Sequence, residues 1–249
     1  MKVLVGSTGL IGSVLREQTG FDYCFNSQNI EELPAVCPYI DALYLACLPA
    51  AKWKVNQQPL ADLENIINIV SVLQRAQARK VFVYSTIDVY LHSPLLVDER
   101  YFPRMNGVDY GSNRFLFEML VRPLSSKEVT IIRLPALFHR LIKKNILFDL
   151  INDNNIDKIN GNSFYQWYNL NHLWEDTQNA PANRVINLFP EPLDTTILLK
   201  QCFPEYIDKV NYGQTVRYDY RTIFSPTGYI CDAQSSLKAI KEFVDETRN

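Results

Sequence analysis

Lys2–Gln18 reads KVLVGSTGLIGSVLREQ: a short valine-rich run, a glycine-rich turn, then a segment with the look of a helix. The apolar run reads as a buried strand entering a tight turn. Gly6, Gly9 and Gly12 follow it directly. Glycines there let the backbone turn sharply and approach a pyrophosphate, while the helix behind them points free N–H groups and its positive dipole end at that anion. The spacing is GxxGxxG rather than the usual GxGxxG. Helix caps and turns use glycine as well, but the strand before and the helix after supply the context that a dinucleotide site requires. The stretch predicts a dinucleotide-binding unit at the start of the chain.

Further apolar runs extend the same pattern. DYCFN (Asp22–Asn26), DALYLAC (Asp41–Cys47), KVFVYST (Lys80–Thr86) and VTIIRL (Val129–Leu134) read as strands. Strands that are apolar nearly throughout are buried on both faces, as in a parallel sheet sandwiched by helices. Between them, Pro59–Arg79 carries Leu60, Leu63, Ile67, Val70 and Leu73 at three- and four-residue steps, with Pro59 suited to a helix start. A loop with Pro94, Pro103 and Gly107 leads to a second helix from about Tyr110 to Val121. Strands alternating with helices predict an α/β fold, a Rossmann-type doubly wound parallel sheet. Beyond Pro135 the pattern changes, with a helix expected at 143–153, a strand at 184–189, a helix at 194–203 and an amphipathic helix from Ala233 to Asn249. The expected division is a dinucleotide-binding domain over 1–138 and a small substrate-binding lobe over most of 139–249, with segments near 164–200 returning to the first domain.

Composition narrows the function classes. The chain has 249 residues, 47% of them hydrophobic, enough for a sizeable core. The 25 basic and 27 acidic residues nearly balance, and Arg79-Lys80 and Lys143-Lys144 are short clusters that read as solvated faces. Binding to nucleic acid or to an anionic membrane is not expected. The five cysteines are odd in number, widely spaced and free of a CxxC, which suits a reducing compartment. His92, His139 and His172 form no metal-spaced cluster, so no metal is expected. MKVLVGSTG reaches glycine too early for a signal peptide, and ALYLACLPAA is too short to span a bilayer. A soluble cytoplasmic protein is expected.

The tip of the second strand reads FNSQN. A carboxylate there would accept hydrogen bonds from both hydroxyls of an NAD adenosine ribose. Asn26 and Ser27 stand in its place: Asn26 can bond the hydroxyls and Ser27 can tolerate a 2′-phosphate. NAD and NADP both stay open, as does an ordinary polar turn.

Taken in order, several stretches resemble the extended short-chain dehydrogenase/reductases, the NAD(P)-dependent epimerase/dehydratase family acting mostly on nucleotide sugars. They are GSTGLIG, YLAC after a central strand, DLEN opening a long helix, YSTIDVY, YGSNR in the place of the family's YxxxK, and IIRLPALF. The likeness runs over residues 1–140 and is looser from 160 onward. It implies a seven-stranded Rossmann domain with a small C-terminal lobe and the substrate in the cleft between them. It implies NAD or NADP held by Gly6, Thr8, Gly9, Leu10, Ile11 and Gly12 at the turn, and by Asn26 and Ser27 at the ribose. Ala46, Cys47, Leu48 and Asn65 would line the wall, with Ser85, Tyr110, Arg114 and Leu137 toward the reacting end.

By the same resemblance Tyr110 is the general acid/base of hydride transfer, Thr86 holds the substrate oxygen, and Arg114 stands where the family has lysine. Spacing of four puts Tyr110 and Arg114 on one helix face. Free tyrosine has a pKa near 10, so it needs help to ionise near neutral pH. Arginine keeps the positive charge but does not release a proton as lysine can. The family's dehydratases carry an acidic pair after the threonine; here Ile87 and Asp88 follow, which suits an epimerase or keto-reductase better. Arg133 is expected to meet a carboxylate. Among the aromatics, Trp53, Tyr90, Phe138, Tyr165 and Trp167 could stack on a base or sugar. A homodimer through helices near 60–78 and 108–122 is implied, with Ile66, Ile69, Phe115 and Met119 either in the interface or inside the monomer. The alternative to an epimerase or reductase is a catalytically weak or inactive NAD(P)-binding sensor or scaffold of the same fold.

Overall fold

Valine and glycine at the start of the chain do what their chemistry allows. Lys2–Val5 forms strand β1, and the chain turns through Gly6 into helix α1 (Leu10–Gln18). Strand β2 (Tyr23–Phe25), helix α2 (Leu33–Val36), strand β3 (Tyr39–Leu45), helices α3 (Lys52–Gln57) and α4 (Pro59–Leu73) and strand β4 (Gln77–Thr86) follow. Next come helix α5 (Tyr110–Val121) and strand β5 (Ser125–Leu134). The remaining elements are β6 (Ala136–Phe138), α6 (Ile146–Ile151), β7 (Phe164–Tyr165), β8 (Trp167–Asn169), α7 (Leu173–Asn179), β9 (Val185–Asn187), β10 (Leu193–Asp194), α8 (Thr195–Cys202) and α9 (Ala233–Arg248). These come from a computed structural model that describes residues 1–248, with backbone alone at 125–127. Asn249, expected in the last helix, lies outside the described residues.

The first of two units comprises Met1–Pro94, Glu99–Arg133 and His172–Asn187. Its sheet has six strands in the order β2-β1-β3-β4-β5-β9, with parallel registers such as Val3 opposite Leu43 and Leu43 opposite Val81. The resemblance implied a seventh strand. After β9 the chain leaves this unit, and Leu193–Asp194 pairs antiparallel with Phe164–Tyr165 instead.

Alternate side chains serve the two faces of this sheet. Val3, Val5, Leu43, Leu45, Val81 and Val83 join one core with Ile66, Ile69, Val70 and Leu73 of α4 and Phe117 and Val121 of α5. On another aromatic cluster, Tyr44 stacks on Phe82 at 4.8 Å and meets Trp174 of α7 at 5.5 Å. Each fully buried aliphatic or aromatic side chain contributes roughly 1.5–3 kcal/mol relative to exposure.

Helix α4 is rotated from the expected stripe. Its buried residues are Asp62, Ile66, Ile69, Val70, Val72 and Leu73, whereas Leu60 is 64% and Ile67 53% exposed. Ile66, Ile69 and Val72 join Val70 and Leu73 in a more apolar stripe, and Asp62 on the same inward face meets a cation there. Of the residues considered for a dimer interface, Ile66, Ile69 and Phe115 are buried within the chain, and Met119 is exposed.

The second unit comprises Leu95–Asp98, Leu134–Asn171 and Leu188–Asn249. Within it β6 pairs with β8, α9 packs on β8 and β10, and Phe138 meets Phe243.

Candidate active site

The glycine turn is held from beneath. Gly6 and Ser7 donate backbone N–H groups to Phe25 O at 2.8 and 3.0 Å, which ties the turn to the end of β2. Gly6 has φ +93°, and a Cβ there would lie 2.1 Å from Ala46 O. A Cβ on Gly12 would lie 2.2 Å from Gly6 O. Only glycine lets the three backbone segments approach this closely. No side chain caps α1 at Gly9, so its first-turn N–H groups face the groove with the positive end of the dipole.

A groove of about 590 Å³ opens there, at the carboxyl ends of β1 and β3, where open α/β sheets take ligands. Gly6, Thr8, Gly9, Asn26, Ser27, Ala46, Cys47, Leu48 and Asn65 line it. Leu10, Ile11 and Gly12 stand just behind, at the start of α1. The bare glycine cradle, the uncapped helix end and the groove's size fit a dinucleotide. Asn26 is partly engaged, since its Oδ1 accepts from Gln28 N at 2.8 Å. Burial pushes the Cys47 thiol up to about 12, so it stays a neutral S–H on the wall. Glu31 and Asp62 also line the groove.

Helix α5 brings the tyrosine and arginine to a buried place. Asp109 caps it, accepting from Ser112 N at 2.7 Å, and its other oxygen meets His92 Nε2 at 2.6 Å. Tyr110 N donates to Asn56 Oδ1 at 2.9 Å, which fixes the first turn against α3. Tyr110 is 7% and Arg114 4% exposed, so they are not a pair on a solvated helix face. The Arg114 guanidinium carbon lies 4.5 Å from the centroid of the Tyr110 ring, a cation–π contact. Burial pushes the Tyr110 phenol up from its ordinary range; the Arg114 charge opposes this and Asp88 adds to it, with Arg114 and Thr86 contacts also opposing.

Arg114 meets a partner that spacing did not reveal. Its Nη1 and Nη2 donate to the two oxygens of Asp62 at 2.8 and 3.0 Å, and Nη2 also reaches Pro49 O at 2.7 Å. Asn113 Nδ2 donates to Asp62 Oδ2 and to Pro59 O, each at 2.9 Å. Nε of Arg114 is buried with no partner. The clue in the sequence was an acid within a buried stripe: Asp62 precedes Ile66 by four residues, and a carboxylate on that face requires a partner.

Thr86 closes β4, and its Oγ1 accepts from Asp88 N at 3.2 Å. Ile87 is buried, and the Asp88 carboxylate meets Lys52 Nζ at 2.6 Å. Ser85 Oγ donates to Glu118 Oε1 at 2.6 Å. Glu118 in turn accepts from Arg133 Nε at 2.9 Å and Nη2 at 2.6 Å, and Arg133 Nη1 donates to Tyr90 Oη. The carboxylate expected for Arg133 is thus Glu118, and Ser85 is bonded into that buried cluster. Tyr90, Phe138 and Trp167 are core residues, while Trp53 is 67% exposed. Leu137 lies on β6 of the second unit, opposite Tyr168. His139, also in that unit, is buried and accepts from Leu141 N.

No family model and no curated protein matches the chain. Solved structures do. The UDP-glucose 4-epimerase of Thermotoga maritima with UDP-glucose has a TM-score of 0.69 and 14% identity, over 100% of this chain and 99% of that one. MoeE5 in complex with UDP-glucose and NAD has a TM-score of 0.74 and 13% identity, over 100% and 99%. A dTDP-glucose 4,6-dehydratase double mutant from Streptomyces venezuelae with NAD bound has a TM-score of 0.74 and 14% identity, over 100% and 97%. The chain thus carries the fold of the extended short-chain dehydrogenase/reductases, the NAD-dependent nucleotide-sugar epimerases and dehydratases to which these structures belong.

Proposed function

We propose that the chain is an NAD-dependent epimerase or keto-reductase acting on a sugar, of the nucleotide-sugar class. The observation that carries this is the glycine-cradled groove of the first unit together with buried Tyr110 and Arg114 and half-buried Thr86 on adjoining elements. The turn residues Gly6 to Gly12 would hold the pyrophosphate, Asn26 and Ser27 the adenosine ribose, and Ala46, Cys47, Leu48 and Asn65 the wall. Arg114 Nε is the guanidinium donor without a partner, and we assign it to the nicotinamide ribose. Bound there, the nicotinamide supplies hydride exchange. Tyr110 moves the hydroxyl proton, and Thr86 holds the same oxygen. Ser85 flanks the reacting end in this reading.

NAD is preferred over NADP in this reading because solved structures of the same fold hold NAD; Glu31, which lines the same groove as Asn26 and Ser27, is ion-paired with Arg75 at 2.7 Å. Ile87 and the Lys52-held Asp88 support epimerase or reductase chemistry over dehydration. The second unit is read as the substrate lobe. Exposed Leu60, Ile67 and Met119 on α4 and α5 support a homodimer through those helices. No described helix is long and apolar enough to cross a membrane. The cytoplasmic setting of this reading draws on the wide, CxxC-free spacing of the five cysteines.

Tyr110→Phe tests the assignment with a panel of nucleotide sugars. Turnover should fall by about 10²- to 10⁴-fold, the usual worth of a general acid or base, with NAD affinity by calorimetry unchanged. Equal turnover in the variant refutes it. A second reading, a dinucleotide-binding sensor with little catalysis, draws on the commitment of both Arg114 Nη groups to Asp62 and Pro49 O. NAD binding without turnover of any sugar would favour it.

A further inference from the structure

Two ion pairs bracket Tyr110. Arg114 and Asp62 form one, with both side chains 4% exposed. Lys52 and Asp88 form the other, at 2.6 Å. The charged groups acting on the phenol are Arg114 on its own helix and Asp88 just after β4, paired with Asp62 on α4 and Lys52 on α3; the cap Asp109 and His92 lie at the helix start. The cation beside Tyr110 is therefore matched by a carboxylate. A lone cation within about 4–6 Å favours ionisation of a neighbouring acid, whereas a cation already neutralised does so far less.

We propose that Asp62 is a positioning residue: its carboxylate grips both terminal nitrogens of Arg114, sets the guanidinium against the Tyr110 ring, and offsets part of its charge so that the phenol rests with its proton. This rests on the role given to Tyr110 above. It deepens that reading by favouring ketone reduction near neutral pH. In reduction the Tyr110 O–H bond breaks and its proton goes to the carbonyl oxygen, while hydride from reduced nicotinamide forms the new C–H bond. Arg114 stays beside the phenolate until solvent returns a proton. Oxidation of an alcohol must begin with an ionised Tyr110 and is accordingly held back to higher pH.

Asp62→Asn tests this with the full chain. Tyrosinate absorbance is titrated for the native protein and for Asp62→Asn, each minus its Tyr110→Phe counterpart, which isolates one of 14 tyrosines. The Tyr110 midpoint should fall by about one to three pH units in Asp62→Asn, and the pH profile of kcat/KM for oxidation should move the same way. The neutral double variant Asp62→Asn/Arg114→Gln should titrate on the native side, and it serves also where the single variant does not fold. An unmoved midpoint in folded Asp62→Asn, or a low one in the double variant, overturns the proposal and leaves Asp62 as a structural partner alone. NAD calorimetry runs separately: failure of the native chain to bind NAD sinks the enzyme assignment, while the titration still reports on the ion pair.

Discussion

Gly111→Ala is a sharp test of how α5 is seated. In an ordinary helix interior, alanine is more stable than glycine by about 0.5–1 kcal/mol. Here a Cβ at position 111 would lie 2.2 Å from Asp88 O and 3.1 Å from the carbonyl carbon. Carbon–oxygen contacts settle at about 3.3–3.6 Å, so the start of α5 and the Asp88 backbone must separate by about 1 Å. Overpacking of this kind costs about 1–3 kcal/mol, which exceeds the helix gain in most of its range. The net expectation is a loss of about 1 kcal/mol in urea denaturation. The functional loss should be larger than the stability loss, because Tyr110 adjoins the forced gap and Thr86 lies across it; a misplacement of about 1 Å can cost roughly 10²-fold in rate. Gly20→Ala is the control, since a Cβ there meets nothing within 4 Å. The assays are urea unfolding, NAD calorimetry and kcat on a turned-over sugar. A Gly111→Ala protein as stable as the native one, with native kcat, would refute the close seating of helix on strand end.

Glu118→Gln leaves the buried Arg133 guanidinium without its counter-charge, and should destabilise the chain by about 3–5 kcal/mol in urea unfolding; Glu118→Leu/Arg133→Met should recover most of that loss. Asp109 has a lowered pKa: burial acts to raise it but is outweighed by hydrogen bonds from Ser112 and His92. Its charge therefore contributes stability that is full above the usual carboxylate value of about 4 and is lost as pH falls through the lower folded value. Asp109→Asn keeps a capping oxygen but cannot titrate, so its stability deficit should shrink toward zero as pH falls below about 4, whereas Asp109→Ala should keep a deficit of about 1 kcal/mol from the missing cap.

Local pattern carried the sheet and the glycine turn. A valine-rich run followed by Gly6, Gly9 and Gly12 leaves the backbone few other conformations, and strands apolar on both faces have to be covered on both sides. Tyr110 and Arg114 on one helix face also follow from a spacing of four. What the spacing did not contain was the partner of Arg114. Asp62 is 52 positions away, and its burial depends on the rotation of α4, which turned Leu60 and Ile67 outward and placed Asp62 on the inward face with Ile66, Ile69 and Val72. Glu118 beneath Ser85 and Arg133 is likewise joined to them only by packing between helix and sheet. Backbone preference acts over a few residues and shows in the sequence. A buried charge is balanced across whatever gap the fold closes, so which carboxylate meets which cation was settled only once α4, α5 and the sheet had come together.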